Sequence, residues 1–386
     1  MVQIVALSCS FGLGVCFSLL GTISVKLMPR LKIDQARFGT LVTGFMSACL
    51  IASLLMGVII DRLGHRPVAV FGFGLAALCI LLLARSKTYA TVLGSCLLLG
   101  FGAMALNTAA NTLIPKVLYG GQNAAAALNL GNVAFGVGLL LAPLVMSYLF
   151  RKTSYENTVS AVALVMAAPL VLAALATYPS QAGDAFEFGE ALSLLAKPIV
   201  WVAGLALYCY SALDVSFSNW LPAFGKEVLA VSPRRTDPNA ADAAAQRLIS
   251  VYALALIGGR AAASQMPGLK EFGYWYVAAA ALAVALLILW MTWTRHAVVA
   301  WLLVLLVGAL TAPFFPLIVA TSFGKFPEEV HGSLFGIIFA GALAGGATVP
   351  KAIGNLAKGS SIRKSMGLLA PLCVALAILA YVLGTL

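Results

Sequence analysis

Gly57-Val-Ile-Ile-Asp61-Arg62-Leu-Gly64-His65-Arg66-Pro67 is a compact charged turn between two stretches that are otherwise almost uncharged. A helix that crosses lipid has to end before charges appear, and a short basic reversal sends the next helix straight back. Gly64 permits a turn with positive φ, and Pro67 suits the first turn of a new helix. Asp61 is placed to cap the helix that follows and to pair with Arg62 or Arg66.

The rest of the chain has the same character. Its 386 residues are 62% hydrophobic and 10% charged, with a mean hydropathy of +1.00. A soluble domain has about a quarter of its residues charged, so this composition belongs in lipid. Apolar runs of about 20 residues recur throughout, each long enough to cross a hydrocarbon core of about 30 Å. The first run begins almost at Met1 and exceeds the apolar region of a signal peptide. No small-residue cleavage site follows it, so it is expected to remain as a span.

Seven cysteines (Cys9, Cys16, Cys49, Cys79, Cys96, Cys209 and Cys373) fall inside apolar runs at scattered spacings. They read as small buried hydrophobes, with neither a disulfide framework nor a metal site implied. The three histidines form no ligand pair, and no cofactor is expected. The net charge of +11 is dispersed among short loops, which fits anionic lipid headgroups and not nucleic acid.

The hydropathy pattern predicts an all-α membrane protein of twelve spans, near 4–25, 38–60, 67–86, 90–114, 124–149, 157–177, 198–221, 246–266, 273–293, 297–321, 332–350 and 366–385. The longest polar stretches are 178–197 and 223–245. The first, with Asp184, Glu187 and Glu190, is expected to be a cytoplasmic linker holding a short interfacial helix. It would separate a bundle of six helices over 1–177 from another over 198–386. The second, with Pro233-Arg234-Arg235, reads as a mobile loop outside the membrane. Gly259-Arg260 falls about 198 residues after Asp61-Arg62, which suggests a parallel duplication.

Charges inside spans are costly and mark pathways. Of thirteen acidic residues, Asp214 alone lies mid-span. Tyr210, Asp214 and Ser218 follow at i, i+4 and i+8, which gives the seventh span one polar, aromatic face. Asn107 and Asn111 share a face of the fourth span, and their amides suit a neutral polyhydroxyl ligand. Asn129 and Asn132 in the fifth fit a ligand or helix–helix contact equally. Trp220 is a belt residue or a platform for a sugar ring. Phe314, between Pro313 and Pro316, lies where the tenth span should break and could line a cavity. Arg260 is deep enough to need a partner and is placed at an inner gate.

The Gly57–Pro67 turn resembles the signature loop of the major facilitator superfamily, G-x-x-x-D-R-x-G-x-R, and follows the second span as it does there. Leu106-Asn-Thr-Ala-Ala-Asn111, Ala127-Leu-Asn-Leu130, Tyr210 through Trp220-Leu-Pro222, Phe315-Pro316, Gly345-Gly346 and Pro350 are similar to the fucose permease branch. The resemblance implies two six-helix bundles around a central site, alternating access, and sugars carried with protons. Asp61, Arg62, Arg66 and Arg260 would then serve gating. The chain departs from the branch twice. Asn107 stands where relatives carry a glutamate, and near Val25 no acid matches theirs, Lys26 being the nearest charge. Asp214 is left as the candidate proton carrier.

Orientation by the family pattern puts both termini in the cytoplasm, at a bacterial inner membrane. The basic residues point the other way. Arg62, Arg66, Lys116, Lys197, Arg260, Lys270 and Lys325 would be cytoplasmic, leaving seventeen of the 24 Lys and Arg outside. The expected protein is a monomeric transporter of a small neutral solute, a sugar first. It would be coupled to protons through Asp214, or a uniporter if that acid is permanently paired. An antiporter exporting an amphipathic compound is the alternative, since Gly131, Gly138 and Pro143 partly resemble the glycine-proline motif of facilitator antiporters. No nucleophile–base pair is available for an enzyme.

Overall fold

Glycine, proline and short polar caps divide the chain into long helices. A computed structural model describes residues 1–179, 188–229, 238–266 and 268–386. The helices are α1 (Val2–Leu31), α2 (Gln35–Leu63), α3 (His65–Arg85), α4 (Tyr89–Val117), α5 (Ala124–Leu149), α6 (Tyr155–Leu175) and the short α7 (Phe188–Leu194). They continue as α8 (Pro198–Leu229), α9 (Pro238–Ala263), α10 (Leu269–Trp293), α11 (Ala297–Thr311), α12 (Phe314–Phe323), α13 (His331–Ala357), α14 (Ile362–Ser365) and α15 (Leu369–Thr385). No strand occurs among the described residues. Eleven described stretches are long and apolar enough to cross a membrane, α11 and α12 forming one of them. The more polar α9 is a further long helix.

The helix starts are chemically marked. Side chains of Asp34, Thr88, Asn123 and Ser154 accept hydrogen bonds from the backbone N–H three residues on, satisfying donors that a helix start leaves unpaired. At the signature turn, Gly64 closes α2 at φ 86°, where a side chain would be strained. The expectation for Asp61 is corrected here, because α3 has no side-chain cap and the Asp61 carboxylate goes elsewhere.

The chain forms two units. The first comprises Met1–Leu194 with Phe326–Ile337, and the second Leu195–Lys325 with Ile338–Leu386. Within the first, α1 packs on α5, α2 on α4, and α3 on both α4 and α6. Within the second, α9 packs on α11 and α10 on both α11 and α15, which repeats the same order of partners. Glycines set the closest approaches in both. A Cβ on Gly14 or Gly138 would overlap backbone of the facing helix in the α1–α5 pair, and one on Gly341 or Gly345 would overlap Gly204 or Tyr208 of α8. Such close approach is how helices associate in lipid, where burial gives little driving force between them.

A second parallel is electrostatic. Arg30, ending α1, pairs with Glu156, opening α6. Glu227, near the end of α8, accepts from the backbone N–H of Ile362 (2.8 Å) and Arg363 (3.1 Å) at the start of α14. Each half thus ties the end of its first helix to the segment leading into its last.

Two expectations about loops change. Residues 223–229 continue α8 and 238–245 open α9, so the loop foreseen over 223–245 is largely helical; Pro233, Arg234 and Arg235 lie outside the described residues. The short helix foreseen before Lys197 is α7, while Asp184 and Glu187 lie outside the described residues. All seven cysteines are free and buried.

Candidate functional site

The interruption between α11 and α12 organises the polar cluster of the second unit. Pro313 has no N–H and Pro316 follows, so carbonyls at the end of α11 lose their helical partners. Two side chains supply donors instead. The Tyr276 hydroxyl of α10 donates to the Leu310 carbonyl (3.1 Å), and Arg260 Nε of α9 donates to the Ala312 carbonyl (3.1 Å). Arg260 Nη2 also donates to the Tyr210 hydroxyl of α8 (3.0 Å).

Asp214 lies one helical turn beyond Tyr210 on the same face of α8. Its Oδ1 accepts from the Tyr252 hydroxyl at 2.8 Å. Tyr252 and Arg260 are eight residues apart on α9, so two side chains from α8 meet two from α9. Aromatic rings surround them. Tyr210 meets Phe314 and Phe315 edgewise or tilted at 6.4 and 6.2 Å, Phe314 meets Tyr276, and Tyr252 lies against Phe217 at 5.4 Å.

The charges in this cluster are not ion-paired. Ion pairs such as Arg30–Glu156 and Lys116–Glu328 occur among the described residues, and neither Asp214 nor Arg260 belongs to one. Arg260 is 5% exposed and Asp214 half-buried, yet each is held by neutral groups. A buried charge without a counter-charge costs several kcal/mol, so the arrangement has a reason other than stability.

The other foreseen residues divide. Tyr210, Asp214 and Arg260 come together with Tyr252, which pattern reading missed. Its signal was the eight-residue spacing to Arg260 on a comparatively polar helix. Ser218 is exposed two turns from Tyr210. Trp220 donates its indole N–H to the Pro350 carbonyl (3.0 Å) and lies over Gly354, which ties it to α13. Phe314 is fully buried against Tyr210 and Tyr276.

In the first unit, Asn111 Nδ2 donates to both the backbone carbonyl and Oδ1 of Asn107 at 2.9 Å. The pair is 2% and 6% exposed. Asn129 and Asn132 turn back on their own helix, donating to Ala125 and Leu128 carbonyls. Asn129 is fully buried with Oδ1 unpartnered, whereas Asn132 is half-exposed.

The signature turn meets the start of α13. Asp61 accepts from the backbone N–H of Gly332 (2.7 Å) and Ser333 (2.5 Å), placing a carboxylate on the positive end of that helix. Ser53 Oγ donates to the Gly336 carbonyl (3.0 Å), and a Cβ on Gly57, Gly332 or Gly336 would strike the opposing chain. Lys116 of α4 reaches Glu328 at 3.1 Å beside this crossing. Arg62 and Arg66 are exposed.

Comparison with known proteins gives concordant results. The family model of the Major Facilitator Superfamily matches residues 6–350. The inner membrane transport protein YdiN of Escherichia coli (strain K12) is 22% identical over 238 residues, which is 59% of this chain and 53% of that protein. The chain therefore spans about half the length of the curated relative it matches. Among solved structures, the E. coli fucose:proton symporter FucP superposes with a TM-score of 0.77 at 19% identity, over 98% of both chains. FucP in the outward conformation gives 0.79 at 19% identity, over 99% of this chain and 98% of that one. The human organic anion transporter MFSD10 gives 0.74 at 18% identity, over 98% of both. These likenesses establish a common fold.

Proposed function

The chain belongs to the major facilitator superfamily, and on that premise we propose that it is a secondary transporter of a small neutral polar solute, a sugar first, moved by alternating access with proton symport through Asp214. The observation that carries this reading is the Asp214 carboxyl on α8, bonded to the Tyr252 hydroxyl and to no arginine or lysine. An acid permanently locked in an ion pair could not exchange a proton. One held by a hydroxyl can do so without breaking a salt bridge.

The sugar assignment is supported by the Asn107–Asn111 pair and by the fold shared with a fucose:proton symporter. Substrate contacts are assigned to Asn107, Asn111, Asn132, Ser218 and the rings beside Tyr210. The Asp61 contact with α13 is the latch of the cycle, made in one conformation and released in the other, with Arg62 and Arg66 beside it. The setting is a bacterial inner membrane, as the name of the curated relative suggests, with both termini in the cytoplasm. Antiport is less well supported. Gly131 and Gly138, which suggested it, face Ile114 and Phe11 so closely that packing accounts for both.

Uptake of labelled hexoses and deoxyhexoses into proteoliposomes, with and without an inside-alkaline gradient, tests the reading. Accumulation driven by the gradient and lost in Asp214→Asn is expected. Equilibration indifferent to the gradient would make the protein a uniporter. Gradient-driven dye export without sugar uptake would make it an antiporter.

A further inference from the structure

We propose that Arg260 is the exchangeable counter-ion of Asp214: it rests on Tyr210 and the Ala312 carbonyl while Asp214 is protonated, and moves to the carboxylate when the proton leaves. This rests on the reading of Asp214 as proton carrier and adds to it the group that compensates its charge. Arginine stays charged at any physiological pH, so only the acid can change state in this pair. With Asp214 protonated, the carboxyl needs a hydrogen-bond partner and no cation. Tyr252 supplies that partner, and Arg260 is satisfied by neutral oxygens.

Deprotonation breaks the carboxyl O–H bond, and the proton passes to solvent water. A half-buried carboxylate and a buried guanidinium are then left bonded to neutral groups, the guanidinium on Tyr210 one turn of α8 from Asp214. Tyr210 and Asp214 share a face at i and i+4, with Cβ atoms about 6 Å apart, which a long arginine covers by changing rotamers. Among the described residues no other cation is placed to substitute. Helices α11 and α12 contain none, and α15 offers only Cys373 and Tyr381 as titratable groups. The Arg363 guanidinium of α14 is held by the Trp293 and Thr294 carbonyls, Glu227 lies thirteen residues further along α8, and Arg247 of α9, Lys351 of α13 and Lys358 just after it are exposed.

The movement has a conformational consequence. Arg260 Nε is the donor that satisfies the Ala312 carbonyl at the interruption between α11 and α12. Its departure strips that carbonyl of its partner and biases the segment towards a different conformation. Proton release at α8 is thereby coupled to the backbone of the tenth span.

Thermal unfolding of the purified full-length protein in detergent, at about pH 5.5 and about pH 8.5, tests this without knowledge of the substrate. In Arg260→Gln the ionised carboxylate has no counter-ion, so the midpoint should fall by several degrees more between the two pH values than in the wild type. Asp214→Asn combined with Arg260→Gln should abolish the extra fall. Tyr210→Phe removes only the resting partner, so its cost should be larger at the lower pH than at the higher. Equal pH responses in wild type and Arg260→Gln, an extra fall that persists in the double variant, or a Tyr210→Phe cost independent of pH would each overturn the proposal. Loss of the carrier role is seen separately. Asp214→Asn that still accumulates sugar would refute the symport reading while leaving the paired pH response intact.

Discussion

Replacing Asp61 by alanine removes both acceptors at the start of α13 and leaves the rest of the α2–α13 crossing in place. The wild-type carboxylate receives two N–H bonds, at 2.7 and 2.5 Å, from Gly332 and Ser333. A hydrogen bond to a charged acceptor contributes about 1.5–3 kcal/mol, and a carboxylate at a helix N-terminus up to about 2 kcal/mol. Asp61 is half-exposed, and water can replace part of both contributions, so a net loss of roughly 2 kcal/mol is expected. That moves a two-state equilibrium about 30-fold towards separation. Ser53 still bonds Gly336, so the helices remain folded. Spin labels at Leu63 (59% exposed) and Glu329 (exposed) report the separation by pulsed electron–electron resonance. The longer-distance component should grow from minor to substantial in Asp61→Ala, with Asp61→Asn in between because one acceptor oxygen remains. Identical distance distributions in wild type and Asp61→Ala would refute the latch.

Other consequences follow from the packing. Gly345→Ala puts a methyl group into the Tyr208 carbonyl oxygen and should lower stability by about 1–3 kcal/mol in thermal unfolding, whereas Gly258→Ala, with nothing within 4 Å, should leave it equal or higher. Glu227→Gln should loosen the start of α14, seen as faster amide exchange at Ile362 and Arg363 with little change in α1–α6. Trp220→Phe loses the bond to Pro350, so stability should drop by about 1 kcal/mol while the KM of uptake is unchanged; a raised KM with normal stability would instead place the ring on the solute.

Much of the architecture was legible because lipid imposes simple rules. Apolar runs of spanning length cannot be anything but helices, and the Gly64 turn was readable because glycine between two such helices allows a one-residue reversal at positive φ. The interrupted tenth span followed from Pro313 and Pro316. Long-range partners were not legible. Asp61 looked like a cap for α3, since nothing local reveals that the start of a helix 271 residues away will need its carboxylate. Tyr252 passed unnoticed because its role depends on α9 lying against α8, and Trp220 looked available for a ligand because Pro350 is 130 residues distant. Asn129 carries the same amide as Asn107 and is equally buried, and only their partners separate them, the Asn111 amide for one and the Ala125 carbonyl for the other. Residues 223–229 looked polar enough for a loop, yet α8 continues through them to bring Glu227 to α14.

Symport requires a proton to move with the solute through Asp214. The direct measurement is the external pH of lightly buffered proteoliposomes after adding the hexose that gives the greatest uptake. Alkalinisation in step with sugar entry is expected in the wild type, and in Asp214→Asn sugar should equilibrate with no pH change. Sugar entry without alkalinisation in the wild type, or alkalinisation that survives Asp214→Asn, would contradict it.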